Sequence, residues 1–408
     1  MADDGPRSLG TGLNMNWLHQ TRIVLSLGLR NVLVRPLLPV IVIVGFLAVV
    51  LVMVSVLSIG HGLSRTYADS GSPDVAMALA GGSLVESQSS LSSSEVQALA
   101  SEPGVAMGVN GPLVSPELVT TVELPKLGSG AVSDVVLRGV APVAFQIHSK
   151  VHLIAGSLFK TGVNEVIVGR QAAREYRGLG VGAVLRSGGV DWTVTGIFAA
   201  DGNIHESEIW TDLPGLQSAL HLDNRYSVLY LKMASPQAYA AFAKAVKDDP
   251  RLAVQIQAEK SYYAGFASGV SQLFHTTGFA IAVLMALGVV IGAINLMYVN
   301  LAARLREVAT LRAVGFRRLP VLCAVLCEGL IFGLVGGVAG GLIAYGAFNG
   351  YQAGTILGGP TQVDFEFTVS TGLLVAGIIF ALIMGFIGGL FPAIRAARLP
   401  VAKALREA

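Results

Sequence analysis

The stretch LAARLREVATLRAVGFRRLP, residues 301–320, carries five arginines and one glutamate and lies between two of the longest apolar runs in the chain. An arginine at the centre of a bilayer costs about 2.5–3.5 kcal/mol on insertion scales, so five together would cost more than ~10 kcal/mol. The stretch must therefore leave the hydrocarbon, as a loop or an interfacial helix. The apolar runs on either side are then separate membrane spans.

Composition agrees. The chain has 408 residues, 53% hydrophobic and 13% charged, with a mean hydropathy of +0.64. A soluble globular domain carries about 25% charged residues, so a membrane protein with a sizeable soluble part is expected. The net charge of +2 is too small to point to nucleic acid. The two cysteines, Cys323 and Cys327, lie four apart in an apolar run and read as small helix residues. They offer no disulfide framework.

Four segments reach the roughly 20 apolar residues a ~30 Å hydrocarbon core demands: 37–60, 271–303, 319–346 and 371–394. The first is too long and starts too late for a signal-peptide core, so it reads as a retained anchor. Lysine and arginine cluster before the first span (Arg22, Arg30, Arg35), between the second and third, and after the fourth (Arg395, Arg398, Lys403, Arg406). None occurs from Leu319 to Ile394. By the positive-inside rule, both termini (1–36 and 395–408) and the 304–318 segment are cytoplasmic, while 61–270 and the short 347–370 loop are extracytoplasmic. Within the N-terminal segment, Arg22, Ser26 and Arg30 share one stripe, and Trp17, Val24, Leu25 and Leu29 supply apolar surface elsewhere. An amphipathic interfacial helix over 16–36, ended by Pro36, is expected.

The 61–270 region reads as an α+β domain inserted between spans one and two. Ser94 and Gln97 have capping-box spacing ahead of a short helix stopped at Pro103-Gly104. VVLRGV (135–140), EVIVG (165–169) and SVLYLKM (227–233) read as strands, and 182–198 as a hairpin turning at Ser187-Gly188-Gly189. QAAREYRGL (171–179) and PQAYAAFAKAVKDD (236–249) read as helices, and 261–274 as a helix running straight into span two.

Several motifs together resemble the MacB/FtsX-type permeases of ABC transporters. RLREVATLRAVGF (304–316) is similar to that family's R-x-R-E-I-G-x-L-R-A-x-G signature, with Val308 for isoleucine and Ala309 for glycine. GVAPVAF, LIAGSLF, NEVIVGRQAA, GLGVGAVLRSGGVDWTVTGIF and EIWTDLPGLQ, in that order between 139 and 217, resemble the extracytoplasmic domain. CEGLIFGLVGGVAGGLIAYG (327–346) resembles the third span and PAIRAARLPVAKALR (392–406) the closing motif. The resemblance covers nearly the whole chain. It implies a permease subunit that pairs with a second copy or a paralogue and takes a cytoplasmic ABC ATPase dimer. ATP and magnesium would be bound there, with no cofactor in this chain. It also implies mechanotransmission to the extracytoplasmic domain, exporting or extracting a hydrophobic or amphipathic substrate such as a drug, peptide or lipoprotein. In a cell with two membranes, a periplasmic adaptor and an outer-membrane duct would be further partners.

Read physically, Leu301, Leu305 and Val308 share one side of a helix and Arg306, Glu307 and Thr310 the other, with Arg312 breaking the pattern before a turn at Gly315. By resemblance this is the ATPase-coupling helix, with Arg304, Arg306, Glu307, Arg312, Gly315 and Phe316 as its working residues. The plainer alternative is a solvated loop whose arginines only set topology. Gly329, Gly333, Gly337 and Gly341 place a glycine at every fourth position of span three, the spacing of close helix packing within the subunit or at a dimer seam. Glu328 heads that face and is costly unless paired or interfacial.

Catalytic signatures are missing from the sequence. It contains no G-x-x-x-x-G-K-[ST] and no G-x-S-x-G. HESE (205–208) lacks the second histidine of a zinc-hydrolase motif, and 201–210 reads as an exposed loop closing on a strand. His148 and His152 read as surface histidines without a completing partner, so no metal site is expected. Two other functions stay open: an FtsX-like regulator of cell-wall hydrolases, whose extracytoplasmic domain is usually smaller, and a membrane-anchored sensor or structural protein with no ATPase.

Overall fold

The computed structural model describes residues 20–22, 25–26, 37–235, 237–355 and 363–398. Most of the amphipathic helix expected over 16–36, and the closing motif beyond Arg398, lie outside them. Among the described residues, four helices are long and apolar enough to cross a membrane: α1 (Leu37–Ala68), α7 (Glu259–Ala303), α9 (Arg318–Phe348) and α10 (Thr371–Arg398). A short helix α8 (Leu305–Ala313) fills the arginine-rich stretch. All four long helices overrun the apolar runs: α1 continues to Ala68, and α7 begins at Glu259 and is unbroken for 45 residues.

The chain divides into two compact units, one of residues 1–58, 276–349 and 369–408 and one of 59–275 and 350–368. In the first unit the glycine face of α9 packs against α10. A β-carbon on Gly329 would lie 2.5 Å from the Gly385 carbonyl oxygen, and one on Gly333 2.5 Å from that of Ala381. Gly337 meets Ala381 and Ile378, and Gly341 meets Leu374. The four glycines thus serve packing inside the subunit. A second face, Gly336 and Gly340, lies against α1: β-carbons there would sit 2.8 Å from the Ile43 and 2.6 Å from the Leu47 carbonyl oxygens. Replacing Gly333 with valine should push α9 off α10 and cost about 1–3 kcal/mol. Gly292 on α7 faces open space, so Gly292→Ala should be neutral or mildly stabilising. Thermal melts in detergent check both, and equal melting temperatures for the two variants would contradict the packing argument.

The second unit is built on a mixed ten-stranded sheet. Its strands are β1 (Val75–Ala80), β2 (Val114–Pro125), β3 (Val132–Val140), β4 (His152–Gly156), β5 (Glu165–Gly169), β6 (Val184–Ser187), β7 (Val190–Ala199), β8 (Ile209–Asp212), β9 (Val228–Lys232) and β10 (Val254–Ala258). The order is β10-β1-β9-β2-β3-β8-β5-β7-β4, with β6 paired to β7. Pairs β3–β8 and β5–β7 are parallel. The β6–β7 hairpin turns at Gly188 and Gly189, with φ of 60° and 75°, values that favour glycine. Helix α2 (Ser93–Ser101) has its capping box at Ser92 and Glu95 rather than at Ser94 and Gln97, because Ser92 is the last extended residue. The other short helices are α3 (Ala144–Ile147), α4 (Arg170–Glu175), α5 (Leu213–Leu220) and α6 (Ala238–Asp248). The 347–370 loop contributes a hairpin, β11 (Gln352–Thr355) with β12 (Val363–Glu366), to this unit.

Period-two alternation divides the sheet's faces. One face is apolar: Leu118, Val122, Val135, Leu137, Val166, Val168 and Ile209 pack with Leu213 and Leu216 of α5. Further along, Ala76, Ala78, Leu229 and Leu231 pack with Leu99, Phe242 and Val246. The other face carries a cross-strand row in register: Val119 opposite Arg138, Arg138 opposite Trp210, Trp210 opposite Ile167. A register shift between Val194 and Gly196 moves Phe198 onto this second face, although Trp192 and Val194 serve the first.

Candidate functional site

The arginine-rich stretch is an ordered helix with two distinct sides. Val308 and Ala309 are buried and Leu305 is half-buried, while Arg306, Glu307 and Thr310 are exposed. Val308 packs with Leu301 of α7, Val321 of α9 and Ala396 of α10. Arg304, the residue before the helix, donates from Nη1 to Glu328 Oε1 at 3.0 Å, and its Nε lies 3.7 Å from Glu307 Oε2. Glu328 is only 4% exposed, so its burial is compensated by this pair. Arg312 Nη1 donates to the Ala397 carbonyl at 3.2 Å. The helix closes with a paired capping motif: Phe316 N bonds Leu311 O at 3.1 Å, and Gly315 N bonds Arg312 O at 3.2 Å. Gly315 has φ +111°, so its place in the stretch is explained by helix termination.

The candidate residues thus separate by location. Arg304, Arg312, Gly315 and Phe316 hold and end α8, and Glu328 receives Arg304. Arg306 and Glu307 are presented outward. The glycines of α9 stand away from this helix, on the packing faces described above.

A second constellation lies on the polar face of the inserted domain's sheet. Arg138, 2% exposed, donates from Nε and Nη2 to both oxygens of Glu208, each at 2.8 Å. Its Nη1 reaches Glu86 Oε2 at 2.8 Å and Glu117 Oε2 at 3.0 Å. Tyr230 donates to Glu86 at 3.0 Å, Trp210 Nε1 to Glu208 at 2.7 Å, and Ser115 to Glu117 at 2.9 Å. Burial pushes the Glu208 carboxyl up, but the Arg138 guanidinium and His205 together outweigh it and hold the group well below the usual carboxylate range. Burial likewise disfavours the charge on Arg138, and Glu208 and Glu86 more than restore it.

This constellation corrects three sequence readings. His148 is buried, not on the surface: it ends the α3 turn and its Nε2 lies 2.9 Å from Glu117 Oε1. The HESE segment is not an exposed loop. It is a buried 3-10 turn over Ile204–Ser207, where Glu206 takes the forked side chain of Arg170 and the amides of Ala200 and Gly202. His205 Nδ1 lies 3.0 Å from Glu208 Oε2. Nor does His148 lack acidic partners, since Glu117 and Glu259 stand beside it; only His152 is exposed as expected. One signal for the cluster was available: Arg138 interrupts the otherwise apolar strand VVLRGV, and a charge in a buried strand must be paired.

Comparison with known proteins agrees with this architecture. The family model described as MacB-like periplasmic core domain matches residues 40–249, and that described as FtsX-like permease C-terminal matches residues 279–401. Among solved structures, similarity is found to the extracellular domain of the noncanonic ABC-type transporter YknZ from Gram-positive bacteria, at 18% identity and TM-score 0.34, covering 45% of this chain and 99% of that one. The periplasmic region of MacB from Actinobacillus actinomycetemcomitans aligns at 13% identity and TM-score 0.35, covering 47% and 92%. A domain of a permease protein from Porphyromonas gingivalis aligns at 14% identity and TM-score 0.27, covering 45% and 85%. No curated protein matches the chain. The two family models together span most of the sequence, and the chain belongs to the MacB/FtsX-like permeases of ABC transporters. It is a multi-pass inner-membrane protein with an α+β domain between its first and second spans.

Proposed function

We propose that this permease couples ATP hydrolysis by a separate cytoplasmic ABC ATPase to movement of its inserted domain, and so exports or extracts a hydrophobic or amphipathic substrate by mechanotransmission. The observation that carries the reading is the two-sidedness of α8. Its apolar side is held by Val308, Arg304 and Arg312, while Arg306, Glu307 and Thr310 form an outward charged face. A helix anchored from behind can pass a push on its outer face into α9 and α10. In this reading α8 is the cytoplasmic coupling helix, both termini are cytoplasmic, and the inserted domain is extracytoplasmic, as the arginine distribution favours. A second permease copy or paralogue completes the transporter. The unbroken α7 is the element suited to carry the stroke, since a continuous helix transmits axial force without a hinge.

The test is reversal of the outer face. Glu307→Arg combined with Arg306→Glu should reduce capture of the ATPase at least tenfold, about 1.4 kcal/mol, with the melting temperature of the permease unchanged. A cysteine placed at Thr310, in a chain with Cys323 and Cys327 replaced by serine, should react with an impermeant maleimide only after the membrane is opened. Undiminished ATPase capture, or labelling of intact cells, would defeat the proposal.

A further inference from the structure

Beside His148 lies a small, partly open space of about 30 Å³ lined by Ser70, Gly71, Ser72, His148, His205 and Glu259, among others. The volume suffices for an ion with a single water. Three donor atoms, one each from His148, His205 and Glu259, all lie within 4.8 Å of one another. The three residues are 7%, 1% and 3% exposed.

Their hydrogen bonds leave specific atoms facing one another. A carboxylate can only accept, so His148 Nε2 donates to Glu117 and His205 Nδ1 donates to Glu208. In the neutral imidazoles, the lone pairs are then on His148 Nδ1 and His205 Nε2. The first stands 4.0 Å from Glu259 Oε1. The second is buried and has no hydrogen-bond partner among the described residues. The other oxygen of Glu259 is occupied by the Ser72 amide at 2.8 Å. Lys150, at the rim, gives its ammonium to the Asp69 carbonyl.

From this geometry we propose that His148, His205 and Glu259 bind a divalent transition-metal ion of the zinc type, with a water in the fourth position. Two imidazoles and one carboxylate are a ligand set zinc accepts. Both histidines carry the carboxylate on the far ring nitrogen that fixes tautomer and orientation at metal centres. Zinc–ligand bonds of about 2.0–2.1 Å place tetrahedral ligands roughly 3.3 Å apart, so the side chains close inward by about 1.5 Å at the widest.

Charge supports the same assignment. Glu86, Glu117 and Glu208 are buried around a single guanidinium, that of Arg138, and Glu259 is buried beside His148. With neutral imidazoles the cluster holds three excess negative charges, and a divalent cation reduces these to one. Protonating both histidines achieves the same balance, but leaves a buried donor on His205 Nε2 with nothing to receive it. A metal uses that atom directly. The ion joins Glu259, the first residue of α7, to the turns that follow α3 and precede β8, and so fastens the start of that helix to the sheet.

The experiment uses the full, untagged chain in detergent, stripped with a chelator, dialysed, and titrated with zinc chloride. About one zinc per chain should be retained, with a rise in melting temperature. His205→Gln and Glu259→Gln should each weaken retention roughly tenfold or more, and His152→Ala should leave it unchanged. Because a ligand variant could misfold, cobalt(II) added to the wild-type chain supplies a second readout: an intense visible d–d absorption, displaced by zinc. No stoichiometric zinc and no tetrahedral cobalt spectrum in the wild type would overturn the proposal, as would zinc retention unaffected by both ligand variants.

Discussion

Arg138→Met is expected to leave the inserted domain unable to hold its native sheet. The substitution keeps much of the aliphatic stem but strips Glu86, Glu117 and Glu208 of their shared cation. Removing one partner of a buried pair costs about 3–5 kcal/mol, and here three carboxylates are stranded at once. Domains of this size are stable by only about 5–15 kcal/mol. Limited proteolysis should cut the variant within residues 61–270 under conditions that spare the wild type. Arg138→Lys should be intermediate, since an ammonium cannot make the two-pronged bond to Glu208. A variant with methionine and wild-type protease resistance would show that the ion cluster contributes little.

The second large effect is expected at Glu328. Glu328→Ala leaves Arg304, whose side chain is only 13% exposed, without its buried acceptor, at a cost of about 3–5 kcal/mol. The double replacement Arg304→Met with Glu328→Met removes both charges and should recover most of that loss, because well-packed apolar pairs often match buried ion pairs. A melting series of the wild type, the single variant and the double variant in detergent reads this directly. If the double variant restores stability but not ATPase capture, the pair takes part in coupling as well as in holding α8. If Glu328→Ala melts like the wild type, the pairing is not structural.

The four spans and the inserted domain were readable because hydrophobic length and arginine placement are local properties of the chain. The strand EVIVG and the hairpin at Gly188-Gly189 were readable for the same reason: alternation and turn chemistry act over a few residues. The glycine spacing of α9 announced close packing, but its partner could not be known until α10 folded back on it. The adjacent pairs Gly336-Gly337 and Gly340-Gly341 did hold a clue, since neighbouring positions on a helix point in directions about 100° apart and so can serve two neighbours. The ionic cluster was almost invisible. Arg138 meets carboxylates 21, 52 and 70 residues away, and no short window contains any of these pairs. His148 was misread because its partners come from a strand 31 residues back and a helix start far along the chain.

The contrast between how α9 and α7 meet their neighbours has a mechanical consequence. Along α9, main chain touches main chain on two sides, so twisting it would ram carbonyl oxygens of α1 or α10 into its own backbone. Helix α7 makes its approach through side-chain ends instead, with Val289 against Gly45 and Val56 against Gly278. Aliphatic tips can slip past one another by changing rotamer, whereas interlocked backbones cannot. Within this helical unit, α9 is therefore the most tightly interlocked helix and α7 the least.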